Sequence, residues 1–412
     1  MQHLRLKFAK GDCPMMMQPR PDVYFFPFSE GAALFRQPTR QLTVLNKNAA
    51  VIWCLLNEVD TFDEVASALQ EKFSLGKDKA TGDVREAVKF FQDNGFLNKG
   101  SSAEEIEEIP EDIIVPGLYQ GVQNVPVAIP LAFKKVFQVP GRILEICCQD
   151  KEIGVMLDEA MAHLAIGPES AVEDRLLVVP AEKEANCWDI FSGTNILFKD
   201  VNKESVLPHV LQLVFDLSCK ALSPYFLFHA AVISKVSKAV LFPAHVSSGK
   251  TTLAAMLAKK GFQFFSDELA VIDVETMQVR PFTMPMSIKP GSLTVLAQEY
   301  PELETLVNHF RPDGKVVRYL QPPNESLPEA KAAATVTALV FPHYKGGNGN
   351  YFMSLSKEET LQRLVQTCSS DRSLRPQDIK AMLAMVEQSE CLALHYEDTH
   401  EAIRLLEEQA II

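Results

Sequence analysis

The stretch Lys238–Asp273, KAVLFPAHVSSGKTTLAAMLAKKGFQFFSDELAVID, decides how the larger part of this 412-residue chain is read. Its apolar run Ala239–Phe242 predicts a strand entering a loop of small and polar residues, Ala244-His245-Val246-Ser247-Ser248-Gly249. Lys250-Thr251-Thr252 then opens a helical pattern. Strand, loop and helix are the context in which such an octapeptide, close to G-x-x-x-x-G-K-[ST], holds phosphate. Loop N–H groups and the free N–H groups of the helix start point at phosphate oxygens. Lys250 is the candidate charge for the β/γ-phosphates of a nucleotide, and Thr251 the candidate hydroxyl for Mg²⁺. The usual first glycine is Ala244 here, and a methyl group is tolerated there if the backbone needs no positive φ. The alternative is a Gly/Ser turn before a helix that binds nothing.

Outward from the loop, two features share its neighbourhood in sequence. Tyr225–Ile233, upstream, reads as a buried strand carrying His229. Gly261–Asp273, downstream, reads as a strand region interrupted by the adjacent acids Asp267 and Glu268. Acids that follow a phosphate-loop helix are where a nucleotide enzyme keeps a metal ligand or a base for the attacking hydroxyl. The plainer readings are a satisfied core histidine and a solvated acidic turn.

Composition sets limits on the rest. With 47% apolar and 23% charged residues the chain is ordinary globular protein, long enough for two or three domains. A net charge of −13 argues against general binding to nucleic acid or to an anionic membrane. Peptides or small molecules are the expected partners. The eight cysteines include no C-x-x-C pair and no histidines at zinc spacing, which fits buried thiols in a reducing cytoplasm. No apolar run of about 20 residues and no signal-peptide pattern is present, so a cytoplasmic location is expected.

The N-terminal part has its own pattern. After a lead-in (residues 1–20), Val23–Ser29 and Ala32–Arg36 read as a hairpin and Gln41–Leu45 as a third strand. Asn48–Asn57 reads as a helix with Asn46 or Asn48 as N-cap. Thr61 with Glu64 forms a capping box for a second helix along Phe62, Val65, Leu69 and Phe73. Asp83–Asp93 reads as a third helix stopped by Gly95, with Phe96-Leu97 as a short strand after it. Residues 21–99 therefore read as an α+β, winged-helix-like domain. The "LN" before a small-residue helix, T-F-D-E-V and D-V-R-E-A-V-K-F-F-Q-D-N-G-F-L resemble the PqqD family, whose members recognise leaders of ribosomally made (RiPP) precursor peptides. The resemblance implies a leader added as a strand at residues 41–45 and packed against residues 85–90, including Arg85, Lys89 and Phe90. A DNA-binding winged helix and a purely structural domain are the alternatives, and the acids around Arg85 and Lys89 make a poor surface for phosphate.

Residues 100–116 form an acidic run with prolines at 110 and 116, read as a linker. Residues 117–412 form the second expected domain, with strands at Arg142–Cys148, Arg175–Val179 and Asn195–Phe198 and a core helix at Ser205–Leu222. Its combination of His229-Ala, the phosphate loop, G-F-x-F-F-S-D-E, and V-R-P-F-x-x-P-x-S-I-K ending at Lys289 resembles HPr kinase/phosphorylase. The resemblance extends to F-P-H-Y-K at 341–345 and to C-L-A-L-x-Y at 391–396. It implies a PEP carboxykinase-like P-loop α/β kinase domain using ATP and Mg²⁺. Asp267 would then accept the proton of the attacking hydroxyl, Glu268 and Thr251 would hold the metal, and His229 would sit by the phosphates or the base; the two acids could exchange roles. Lys289, and with it Arg280, Arg311, Lys315 and Arg318, would face the triphosphate or an acidic substrate. Together the halves predict a kinase for a hydroxyl of a leader-bearing precursor peptide, with tethering raising the local concentration of the acceptor. The alternatives are a nucleotide-gated peptide-binding module and a small-molecule kinase, and homo-oligomers are left open.

Overall fold

The computed structural model describes residues 19–36, 39, 41–59, 61–98, 130–245, 248–329, 331–344, 349–368 and 374–412. The lead-in up to residue 18, the acidic linker, and Val246 and Ser247 of the loop lie outside the described residues. The chain divides into two compact units. One comprises the described residues of Met1–Glu111 with those of Ser356–Gln362 and Ser373–Leu383, and the other the remainder.

The first unit starts as an antiparallel meander of β1 (Val23–Phe28), β2 (Gly31–Arg36) and β3 (Gln41–Asn46), in the order β1-β2-β3. Gly31 is needed because a Cβ there would lie 2.0 Å from the Leu45 carbonyl oxygen across the hairpin. Helices α1 (Lys47–Leu55), α2 (Phe62–Phe73) and α3 (Lys77–Asp93) follow. Asn46 caps α1 through its Oδ1, which accepts from the Ala49 N–H at 2.9 Å. Thr61 and Glu64 make the expected capping box on α2. The core joins Ala32, Leu34, Leu45, Val65 and Val84 around Trp53, whose ring meets Phe91 edge-on at 5.1 Å.

Three sequence expectations are corrected here. Helix α3 starts at Lys77 and not Asp83, running through Gly82, because Ala80 and Val84, four residues apart, are both buried in the same core. Burial of that face outweighs the roughly 1 kcal/mol cost of a mid-helix glycine. Phe73 is 39% exposed and does not continue the buried stripe of α2. The expected strand at Phe96-Leu97 is a single bridge between Leu97 and Pro19. Strand β2 also buries both faces, since Ala33 and Phe35 are as inaccessible as Ala32 and Leu34. A continuous apolar run such as A-A-L-F is the pattern of a strand covered on both sides.

The second unit contains a six-stranded sheet of β4 (Phe133–Val139), β5 (Arg142–Cys148), β6 (Ala165–Ile166), β7 (Asp174–Pro180), β8 (Cys187–Ser192) and β9 (Asn195–Asn202). Helices α4 (Lys151–Met161) and α5 (Lys203–Ala221) share its core, α5 through Val206, Val210, Leu213, Val214 and Leu217. A larger sheet holds β10 (Phe226–Lys235) and β11 (Lys238–Pro243), with helix α6 (Lys250–Lys259) after the loop. Strands β12 (Gln263–Ser266), β13 (Leu269–Ile272) and β14 (Gln278–Arg280) continue it. A three-stranded sheet follows, made of β15 (Met286–Ile288), β16 (His309–Phe310) and β17 (Val316–Leu320), with α7 (Pro290–Leu296) between β15 and β16. The larger sheet is completed by β18 (Ala334–Tyr344), β19 (Tyr351–Ser354) and β20 (Glu390–Tyr396). Helices α8 (Lys357–Thr367) and α9 (Pro376–Gln388) precede β20 in the chain, and α10 (Thr399–Glu408) follows it. Strand β18 pairs with both β11 and β14, so β11, β10, β13, β14 and β18 close into a ring. That ring holds β11, which precedes α6, and β13, which follows it.

The β10–β11 hairpin turns through Val236 and Ser237, both at positive φ (51° and 58°), with Val236 88% exposed. Asn-Gly is the preferred pair for a two-residue turn of this kind, whereas a β-branched residue is strained there. Replacing Val236-Ser237 by Asn-Gly is therefore expected to stabilise the second unit by about 1 kcal/mol, read as a raised midpoint in urea denaturation.

Candidate functional site

The chain leaves β11 at Pro243 and enters α6 through Gly249, whose φ is 90°. A Cβ at Gly249 would lie 2.0 Å from the Tyr396 hydroxyl oxygen, so position 249 excludes side chains on both backbone and steric grounds. Ala244 does not adopt positive φ, which explains why alanine is accepted where the usual pattern has glycine. Lys250 is only 6% exposed and donates from Nζ to the carbonyls of Ala244 (2.7 Å) and His245 (2.9 Å). Burial, then the nearby Lys289, push its ammonium down to about 8, while Glu268 and Asp267 pull the other way.

Strand β12 and strand β13 both pair with β10, Ser266 opposite Val232 and Leu269 opposite His229. Between them the chain bends at Asp267-Glu268. The bend is held by the buried Ser266, whose Oγ accepts from the N–H groups of Glu268 (3.1 Å) and Leu269 (2.9 Å). Asp267 is 7% exposed, and its carboxyl is pushed up to about 7 by burial and then by the Glu268 charge. A hydrogen bond to the Thr251 side chain opposes that shift and ties the start of α6 to the bend. His229 is hydrogen-bonded to the Glu268 backbone, and burial followed by the Lys250 charge holds its ring down at about 4. At neutral pH His229 is thus uncharged, suited to hydrogen bonding and not to acting as a cation.

These groups line one cavity of about 430 Å³. His229, Ser248, Gly249, Lys250, Thr251, Thr252, Asp267, Glu268 and Lys289, all expected at the site, meet there. Within it Thr252 Oγ1 lies 2.8 Å from Ser292 Oγ, so its hydroxyl is turned to α7. His245 is exposed and contributes its carbonyl to Lys250. Lys289 is held low by burial and by the adjacent Lys315 and Arg311, which also line the cavity. Two of the expected basic residues are elsewhere. Arg280 pairs with Asp273 at 2.9 Å, and Arg318 binds Asn308 at 3.0 Å and the Leu303 carbonyl.

Several lining residues carry no role in the sequence reading. Parallel pairing of β18 with β20 sets Tyr344 opposite Tyr396, with ring centroids 5.4 Å apart. The Tyr396 hydroxyl donates to the Ser248 carbonyl at 3.4 Å, closing the loop from above. The tyrosines stand in the motifs at 341–345 and 391–396, but only strand register reveals that they meet. Ser287, also in the lining, and Ser266, which holds the bend, gave no signal beyond their position in the motifs at 279–289 and 261–268.

Chemically, the site offers an N-terminal helix end, a buried ammonium, and three oxygen donors in Thr251, Asp267 and Glu268. Ser248 Oγ, in the cavity wall, is buried with no hydrogen-bond partner among the described residues. Two carboxylates and a hydroxyl suit a small hard cation that completes its shell with water and phosphate oxygens. No cluster of three or more His, Cys, Asp or Glu side chains suited to a metal occurs among the described residues. No helix there is long and apolar enough to cross a membrane.

Residues 31–97 match the PqqD family, coenzyme PQQ synthesis protein D, and form a PqqD domain. Among solved structures the chain is similar to one described as "TbiB1 in Complex with the TbiA(beta) Leader Peptide". The identity is 19%, over 21% of this chain and 100% of that one, with a TM-score of 0.20. No curated protein matches the chain.

Replacing Gly249 by alanine should cost more than the 1–2 kcal/mol of a left-handed L-residue, because the methyl also meets Tyr396. Adding Tyr396→Phe should recover part of that loss, as read by chemical denaturation of the single and double variants.

Proposed function

We propose that this protein is an ATP-dependent phosphotransferase that modifies a hydroxyl of a ribosomally made precursor peptide captured through its leader. The observation that carries the catalytic half is the convergence of Lys250 and Thr251 from α6, Asp267 and Glu268 from the bend after β12, and His229 from β10 on one cavity. The fit to a triphosphate rests on the unpartnered Ser248 hydroxyl, the side-chain-free Gly249 and the buried Lys250 ammonium. Thr251 and Glu268 would hold Mg²⁺, which when bound offsets negative charge on phosphate oxygens.

The protein's own groups divide the remaining work. Lys250, anchored by two loop carbonyls, presents a fixed positive charge to the donor phosphates. Asp267 receives the proton of the acceptor hydroxyl, and its raised affinity for protons matches a base working near neutral pH. His229, uncharged, orients the Glu268 backbone beside it. Lys289, Arg311 and Lys315 supply further positive charge in the same cavity.

For capture, the PqqD match is joined by one geometric feature. β3 is an edge strand of its sheet, and its outer side is paired with no described strand. Arg85, Lys89 and Phe90 on α3 are exposed, Phe90 by 40%. An extended leader adding to β3 would gain backbone hydrogen bonds, with α3 supplying side-chain contacts.

Incubation with ATP, Mg²⁺ and a leader-bearing peptide is expected to yield phosphopeptide by mass spectrometry. Lys250→Ala and Asp267→Asn should each reduce the rate by at least about a hundredfold; undiminished transfer would remove them from the site. Phe90→Ala is expected to weaken peptide capture by roughly tenfold through lost apolar contact. Transfer that ignores both Phe90 and the leader would favour a small free acceptor instead.

A further inference from the structure

A second cavity of about 150 Å³ adjoins the Asp267-Glu268 bend. It shares Asp267, Glu268, Ser287 and Arg311 with the larger cavity but includes no residue of the phosphate loop. The two differ in chemistry. The larger is lined mostly by polar and charged groups, with Lys250, Lys289 and Lys315 among them. The smaller is walled by Leu211 and Phe215 of α5 and by Phe282 and Met284 from the segment between β14 and β15. Phe215 and Phe282 meet edge-on at 5.4 Å, giving that wall a packed aromatic corner. A triphosphate with a single arginine to offset it would be poorly placed against such a surface.

Ser287 is an independent pointer to a ligand. Its Oγ is buried without a hydrogen-bond partner among the described residues and sits in the wall common to both cavities. A buried hydroxyl left unsatisfied costs about 1–3 kcal/mol, which a ligand oxygen arriving between the cavities would relieve.

We propose that the smaller cavity is the acceptor subsite, holding one hydroxyl-bearing side chain with an apolar body, its hydroxyl directed between Ser287 and Asp267. This rests on the phosphotransferase reading. The volume suits such a group, since an apolar cavity of about 150 Å³ accommodates benzene. The layout also suits displacement in line, with acceptor and leaving group on opposite sides of the transferred phosphorus. Asp267 takes the acceptor's proton as the acceptor oxygen bonds to the terminal phosphorus of the nucleoside triphosphate. The bond from that phosphorus to the bridging oxygen breaks, and its electron pair leaves with the nucleoside diphosphate. The product is a phosphate monoester.

The test uses the full chain with N-acetyl amides of serine, threonine and tyrosine as acceptor probes. Transfer from ATP is followed by mass spectrometry, probe binding by ligand-observed NMR with a non-hydrolysable ATP analogue present, and nucleotide affinity with a fluorescent ATP analogue. Leu211→Trp, which fills the cavity, should lower kcat/KM for the probes by at least about tenfold with nucleotide affinity unchanged within about twofold. Leu211→Ala, which enlarges it, should shift preference toward the bulkier probe, and Ser287→Ala should weaken probe binding. Retained nucleotide affinity also reports that each variant folds. Absence of probe binding in the unsubstituted protein, or equal loss of probe and nucleotide binding in both Leu211 variants, overturns the subsite. Probe binding that Leu211→Trp abolishes, without transfer by the unsubstituted protein, upholds the subsite and overturns the phosphotransferase reading.

Discussion

The arrangement of the second unit depends on keeping one ammonium group, that of Lys250, out of water. A buried cation is tolerated only where it is hydrogen-bonded and faced by opposite charge. Lys250 meets the first condition through the carbonyls of Ala244 and His245, which tie those two residues to the start of α6. It meets the second through Asp267 and Glu268, across the cavity. Loop, helix start and acidic bend therefore constrain one another.

Strand β10 is what makes this possible. It pairs with β11 on one side and with β12 and β13 on the other, so the strand before the loop and the strand segments after α6 are referenced to the same backbone. His229 lies on that strand opposite Leu269, and so beside the bend. Ser266 converts a continuous strand into one with a kink by offering its hydroxyl to two N–H groups that would otherwise seek sheet partners. The kink aims both carboxylates at the cavity and leaves space behind them.

In the first unit the constraint is different. Its PqqD domain encloses a core around Trp53 and leaves β3 as an edge. An unpaired edge normally invites unwanted pairing and is usually blunted or covered. In a protein proposed to capture an extended peptide, that edge becomes useful.

What the sequence determined by itself was everything that acts over a few residues. The Asn46 cap, the Thr61–Glu64 capping box, the strand–loop–helix run into Lys250 and the buried stripe of α5 all follow from local hydrogen bonding and periodicity. Most of the proposed site residues were legible for the same reason, since Lys250, Thr251, Asp267 and Glu268 fall within 18 residues of one another. Tertiary structure decided the rest. The start of α3 at Lys77 was set by core burial of Ala80, against the local signal of Gly82. The absence of Arg280 and Arg318 from the cavity was set by their partners Asp273 and Asn308. The meeting of Tyr344 with Tyr396 and the cavity behind the acids depend on strand register and on packing of α5, which join residues 50 or more positions apart. No short-range pattern encodes such contacts, because they are fixed by how whole elements pair and pack.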